Sequence, residues 1–192
     1  MKGLFFLLGL ALSLACALTY WQAIYSRSIR PHLFSWLIWS ITMGVAGAAQ
    51  IRSNGGAASW IALLGSINCF LIAVACLWIG HKGITRSDWL LLAAALLAVP
   101  LWMITRQPLW SVLLVTGIDA IGYGPTFRKS WDKPGQESVL AFVIGGLAML
   151  FSLLALDSYP LTNWIYPAVI VTFNGVLVGM LQARRRYLQA RA

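Results

Sequence analysis

Asp119 is the only acid well inside an apolar run of this chain. A carboxylate at mid-bilayer costs about 2.5–3.5 kcal/mol on insertion scales, so such a group faces a cavity or a partner. Two readings follow: a solute acceptor or proton site, or a structural acid bonded to Tyr20, Tyr123 or a backbone group. Asn68 and Asn174 place one amide each near the middle of two other apolar runs. An amide has two donor hydrogens and an acceptor, which suits hydroxyl- or amide-bearing solutes, and serves equally as glue between helices, worth about 0.6–2 kcal/mol. Trp36 and Trp39 are three residues apart, hence on one helix face. They can stack on a ring-shaped solute or belong to an interfacial aromatic belt. Tyr20 and Tyr123 stand near the ends of their runs, as gate residues or belt residues. Gly122, Gly124 and Pro125 free backbone groups and permit a bend, or allow close helix packing.

These residues need elements to hold them. The chain has 192 residues, 60% hydrophobic and 10% charged, against about 25% charged in a soluble domain. It reads as an integral membrane protein. A bilayer core of ~30 Å asks for runs of ~20 apolar residues. Seven such runs occur, at 3–25, 31–50, 56–80, 88–105, 108–127, 138–156 and 160–183. All are expected to be helices, because lipid leaves unpaired strand edges unsatisfied. The first run continues through Tyr20, Trp21 and Tyr25 without a small-residue cleavage site, so it is read as a retained helix rather than a removed signal. The stretch after Pro125, with Arg128, Lys129 and Lys133, reads as a basic loop.

Charge sets the expected orientation. With seven spans, Lys2, Arg52 and Arg106 fall on one side. Arg27, Arg30, Lys82, Arg86, Arg128, Lys129, Lys133, Arg184, Arg185, Arg186 and Arg191 fall on the other. The positive-inside rule then puts the N-terminus outside and the C-terminus in the cytoplasm. The net charge of +9 is explained by headgroups and topology and does not call for nucleic acid. Cys16, Cys69 and Cys76 lie in apolar runs without ligand spacing. His32 and His81 stand at helix ends without a cysteine or acid cluster, so no metal or other cofactor is expected. Metalloprotease and serine-hydrolase motifs are absent, and the last helix has no lysine for a Schiff base.

The chain also resembles itself. At a shift of 103, Leu10 meets Leu113, Ala17 meets Ala120, Tyr20 meets Tyr123, Pro31 meets Pro134, Ser35 meets Ser138 and Ile41 meets Ile144. Further on the register drifts: Trp60 meets Trp164 at 104 and Asn68 meets Asn174 at 106. The division expected is a first three-helix unit at 1–80, a linker helix at 81–107, a second unit at 108–183 and a basic tail at 184–192. Parallel repeats of this kind place a solute site between them.

With this 3+1+3 layout, an outside N-terminus and an asparagine in each third helix, the chain resembles the SWEET and PQ-loop transporters, and is similar also to the Pnu-type vitamin transporters. The name-giving Pro-Gln pair is missing: Pro125-Thr126 stands in the second unit and Gln22-Ala23 in the first. The resemblance implies a bacterial inner-membrane transporter that moves a small polar solute, sugar-like or vitamin-like, by alternating access. It implies solute contacts at Asn68 and Asn174 and hinges at Pro125, Pro31 and Pro134; the residues themselves place Asp119, Trp36 and Trp39 as further expected solute contacts. A receptor or assembly factor of the same fold is the alternative. Seven helices suffice for a pathway in one chain, and the oligomeric state is left open.

Overall fold

The computed structural model describes residues 1–81, 83–105 and 107–191, with side chains for all except 95, 98, 99, 101–103 and 105. Lys82 and Arg106, which enter the charge argument above, lie outside the described residues. Among the described residues there are seven α-helices: α1 (Lys2–Tyr25), α2 (Leu33–Arg52), α3 (Ser59–Ile79), α4 (Arg86–Thr105), α5 (Pro108–Asp132), α6 (Val139–Leu154) and α7 (Leu161–Gln189). Short 3₁₀ turns at Gly56–Ala58 and Pro134–Gln136 precede α3 and α6. Four helical stretches are long and apolar enough to cross a membrane: α1, α2, α3 with its leading turn, and α7. The helix α6 is apolar but shorter, at 16 residues.

Two elements run past the boundaries expected from hydropathy. The helix α5 passes through Pro125 and ends at Asp132, so the stretch read as a basic loop is helical as far as that residue. Proline removes one intrahelical donor, but contacts from outside hold the last turns. Arg128 reaches Asp88 of α4, and Lys129 donates to the Arg30 carbonyl at 2.9 Å. The helix α7 likewise continues through Arg184–Arg186 to Gln189. Arg184 stacks over the Trp131 ring at 4.4 Å, and Arg185 donates to the Pro134 carbonyl at 2.9 Å. Arg184 and Arg185 are therefore committed to the end of α5 and its connection to α6.

The helix α2 packs extensively on α3 and α5; α6 packs on α1 and α7; α5 packs on α7; and α4 lies against α5 and α2. Two glycines allow close approach. A Cβ on Gly9 of α1 would stand 2.9 Å from Ile61 Cδ1 and 3.3 Å from the Ser152 nitrogen. One on Gly122 of α5 would stand 3.1 Å from Ile38 Cγ2. At one end of the bundle, Gln50 donates to the Asn163 carbonyl at 2.9 Å, and Lys2 reaches the Asp157 carbonyl at 2.9 Å. At the other, the His81 amide donates to the Pro31 carbonyl at 2.9 Å and the Arg30 amide to the Gln136 carbonyl at 3.3 Å. Most of the described basic residues gather at this second end.

Candidate functional site

A central cavity of about 160 Å³ lies among α1, α2, α3, α5, α6 and α7. Tyr20, Trp36, Trp39, Asn68, Tyr123 and Asn174 all line it. Six of the seven binding and gate residues singled out in the sequence thus converge on one space. Trp36, Trp39, Tyr20 and Tyr123 are buried; none occupies the exposed position of a belt residue.

The rings close the cavity toward the basic end. Tyr20 packs on Trp36 with centroids 4.5 Å apart, and Trp39 on Tyr123 at 4.8 Å. Trp36 and Trp39 meet edge-on at 5.1 Å, and Phe142 of α6 completes the group. Offset and edge contacts at these separations match the quadrupoles of the rings.

Each asparagine is held by an aromatic donor from a neighbouring helix. Trp21 Nε1 donates to Asn68 Oδ1 at 3.0 Å, and Tyr123 Oη donates to Asn174 Oδ1 at 3.0 Å. An indole N–H only donates, so Asn68 must turn its oxygen to Trp21. The Asn174 amide nitrogen lies against the Gly145–Gly146 backbone of α6. The two amides therefore tie helices together and also reach the cavity.

Asp119 is fully buried but is not part of the cavity wall. Its partners are neither of the expected tyrosines. Thr42 Oγ1 of α2 donates to its Oδ1, as does Tyr166 Oη of α7 at 3.0 Å. Its Oδ2 has no hydrogen-bond partner among the described residues. The helix face that carries it points between α2 and α7, where hydroxyls from both converge.

The expected hinges divide. Pro125 lies inside α5. Pro31 precedes α2 in the connection from α1, and Pro134 opens the 3₁₀ turn before α6.

Two groupings escaped the sequence reading because their members look like ordinary loop charges. Glu137 and Lys129 form a buried ion pair behind the ring group, and Tyr20 Oη donates to Glu137 Oε2 at 3.2 Å. Asp88, also buried, accepts from the Thr85 amide at 2.7 Å and from Arg128 at 3.3 Å. His32 Nε2 lies 3.5 Å from Asp88 Oδ2, with neither ring nitrogen hydrogen-bonded among the described residues. Burial pushes the His32 imidazole below its usual range, and the Asp88 carboxylate opposes that only in part. His81 is also pushed down, first by burial and then by Lys129, Lys133, Arg128 and Arg30. No group of three or more metal-ligating side chains occurs among the described residues.

No protein family matches the chain, and no curated protein or solved structure matches it either.

Proposed function

We propose that the chain is a seven-span membrane transporter whose two three-helix units, α1–α3 and α5–α7, move about a solute held in the central cavity, with α4 as linker. The observation that carries this reading is the make-up of the cavity wall. Trp36 and Phe142, Trp39 and Gly145, Met43 and Met149, Leu64 and Ile170, and Asn68 and Asn174 all line it, each pair 106 residues apart. A wall built from corresponding positions is what two related units facing one site produce. Packing fits the same exchange of units: α1 against α6 corresponds to α5 against α2, and α2 against α3 to α6 against α7. At a shift of 106 the starts of α2 and α6, Leu33 and Val139, align as well, so the 103-residue matches Ser35–Ser138 and Ile41–Ile144 give way to Ser35–Ala141 and Ile41–Leu147 in the second helices.

In this reading Asn68 and Asn174 hydrogen-bond the solute, and Trp36 and Trp39 pack on it. Tyr20 and Tyr123 close the inner side, with the Glu137–Lys129 pair as the bolt behind Tyr20. Pro125 is the hinge within a span, while Pro31 and Pro134 flex in the connections. Asp119 stands behind the wall, where it sets α2 against α7 and can carry a proton. The basic end faces the cytoplasm and the N-terminus lies outside, in a bacterial inner membrane. The sugar-like and vitamin-like classes are the two starting points for substrate.

Counterflow in proteoliposomes, screened across sugars, nucleosides and vitamins, tests this. One class should exchange, and Asn68→Ala should abolish the exchange. Absence of counterflow for every class rejects transport of a water-soluble solute.

A further inference from the structure

Packing around the cavity is dense toward both ends and sparse on one side. Beyond Leu10, α1 touches α3 and α6 at Gly9 so closely that a Cβ there would stand 2.9 Å from Ile61 Cδ1 and 3.4 Å from the Ala148 carbonyl oxygen. Toward the basic end stand the stacked rings and the buried Glu137–Lys129 pair. Between α1 and α3, by contrast, packing is sparse. Leu14 and Leu64, both on the cavity wall, are 57% and 45% exposed there. Leu14 lies mid-way along α1 and Leu64 in the second turn of α3, both in helices long and apolar enough to cross a membrane. The corresponding seam between α5 and α7 is shut by Tyr123 and Phe173, whose rings are 5.1 Å apart.

The polar groups on the wall are few and mostly donors. Both asparagine oxygens are taken, by Trp21 and by Tyr123. Tyr20 donates to Glu137, and Cys16 Sγ donates to the Ala141 carbonyl at 3.1 Å. The amide nitrogens of Asn68 and Asn174 donate to no described protein group and Trp39 Nε1 has no partner among the described residues, so these are donors offered to a ligand; the Ser13 hydroxyl also belongs to the wall. The rest of the wall is mainly hydrocarbon, thioether and aromatic. A hexose would leave most of its hydroxyls unpaired there, and each buried unpaired polar group is costly.

We propose that the cavity takes a membrane-partitioned amphiphile, an apolar body carrying one or two carbonyl or carboxyl acceptors, which enters from the bilayer between α1 and α3. This rests on the transporter reading for the role of the cavity and replaces the aqueous route with a lateral one. A second copy of the chain could cover the seam, but it could not reach the amides beyond it.

The test uses the full chain in lipid nanodiscs, with tryptophan fluorescence as readout. The probe is a medium-chain fatty acid brominated at its terminal carbon; the controls are the matching bromoalkane and a hexose. The fatty acid should quench saturably, and the bromoalkane should not saturate. The double variant Asn68→Leu/Asn174→Leu should weaken binding at least ~tenfold, about 1.4 kcal/mol. Leu14→Phe/Leu64→Phe, at lipid-facing positions where folding is not at stake, should slow association at least ~tenfold through a narrowed mouth. The inference is overturned if quenching rises linearly and equally in all variants, if the bromoalkane saturates as well, if the hexose protects, or if each nanodisc holds two copies joined at this seam. Proteoliposomes separate the two readings. Saturable binding without passage between leaflets removes transport and keeps the lateral site. Carriage of a hydrophilic solute unaffected by Leu14→Phe/Leu64→Phe keeps transport and removes the lateral site.

Discussion

Asp119 illustrates how much a buried side chain depends on its partners. Its Oδ1 accepts from Thr42 and Tyr166, while Oδ2 stands without a hydrogen bond among the described residues. Asparagine keeps one acceptor oxygen, so Asp119→Asn should melt close to the parent protein. Asp119→Ala removes the acceptor of the buried Tyr166 hydroxyl, while Thr42 keeps the Ile38 carbonyl at 3.1 Å, and should cost about 1–3 kcal/mol; thermal unfolding in detergent reads both. If transport is proton-coupled through this acid, Asp119→Asn flattens its pH profile, and an unchanged profile rejects the coupling. The Glu137–Lys129 pair obeys a different rule. Glu137→Ala leaves Lys129 charged and buried and should cost about 3–5 kcal/mol, whereas Lys129→Met/Glu137→Met should cost less, since replacing both partners of a buried pair is often neutral. Equal losses in the two variants count against a desolvated pair. His32 gives the pH dependence. Its folded pKa is depressed by burial, so the unfolded chain binds the proton more tightly. Stability is then unaffected above the ordinary histidine value of about 6.5 and falls as pH drops from there toward the folded pKa. His32→Gln should reduce that acid slope and leave the part due to His81, whose pKa is depressed as well, seen as melting temperature against pH.

At the scale of elements, the helices were largely legible. Apolar runs report a local property, and the observed helices α1, α4 and α5 begin within two residues of the expected starts. The ends of α5 and α7 were not legible. Hydropathy falls at Arg128 and Arg184, yet both helices go on because Asp88, the Arg30 carbonyl, Trp131 and the Pro134 carbonyl meet their basic side chains. Such partners lie far away in sequence and leave no trace in a hydropathy window. Pro125 lies within α5 and beside Gly124, against which nothing is packed within 4 Å. Pro125→Ala restores the missing donor and should stiffen the helix. We expect melting to rise while exchange across proteoliposome membranes slows severalfold. A rise in melting with unchanged exchange would exclude α5 as the hinge.

At the scale of the whole molecule, the charge asymmetry makes a test of orientation available. Ser87 lies at the basic end and Tyr159 at the other, both exposed. In intact cells a membrane-impermeant maleimide should label Tyr159→Cys and spare Ser87→Cys; the reverse pattern overturns the assigned orientation. Sequence by itself determined the all-helical class, the number of helices, the uneven distribution of charge, and the short set of aromatic and amide residues that meet in the cavity. Those are consequences of composition and of spacing along one helix, and both are local. Tertiary structure alone decided which side chains face which space. It put Asp119 behind the wall rather than on it, turned Glu137 and Lys129 from loop charges into a buried pair, occupied the oxygens of both asparagines, and left α1 and α3 sparsely packed beside the cavity. Each of those outcomes depends on groups tens of residues apart. A buried polar atom's environment is set by whichever distant helix packs against it, and no spacing along the chain records that choice.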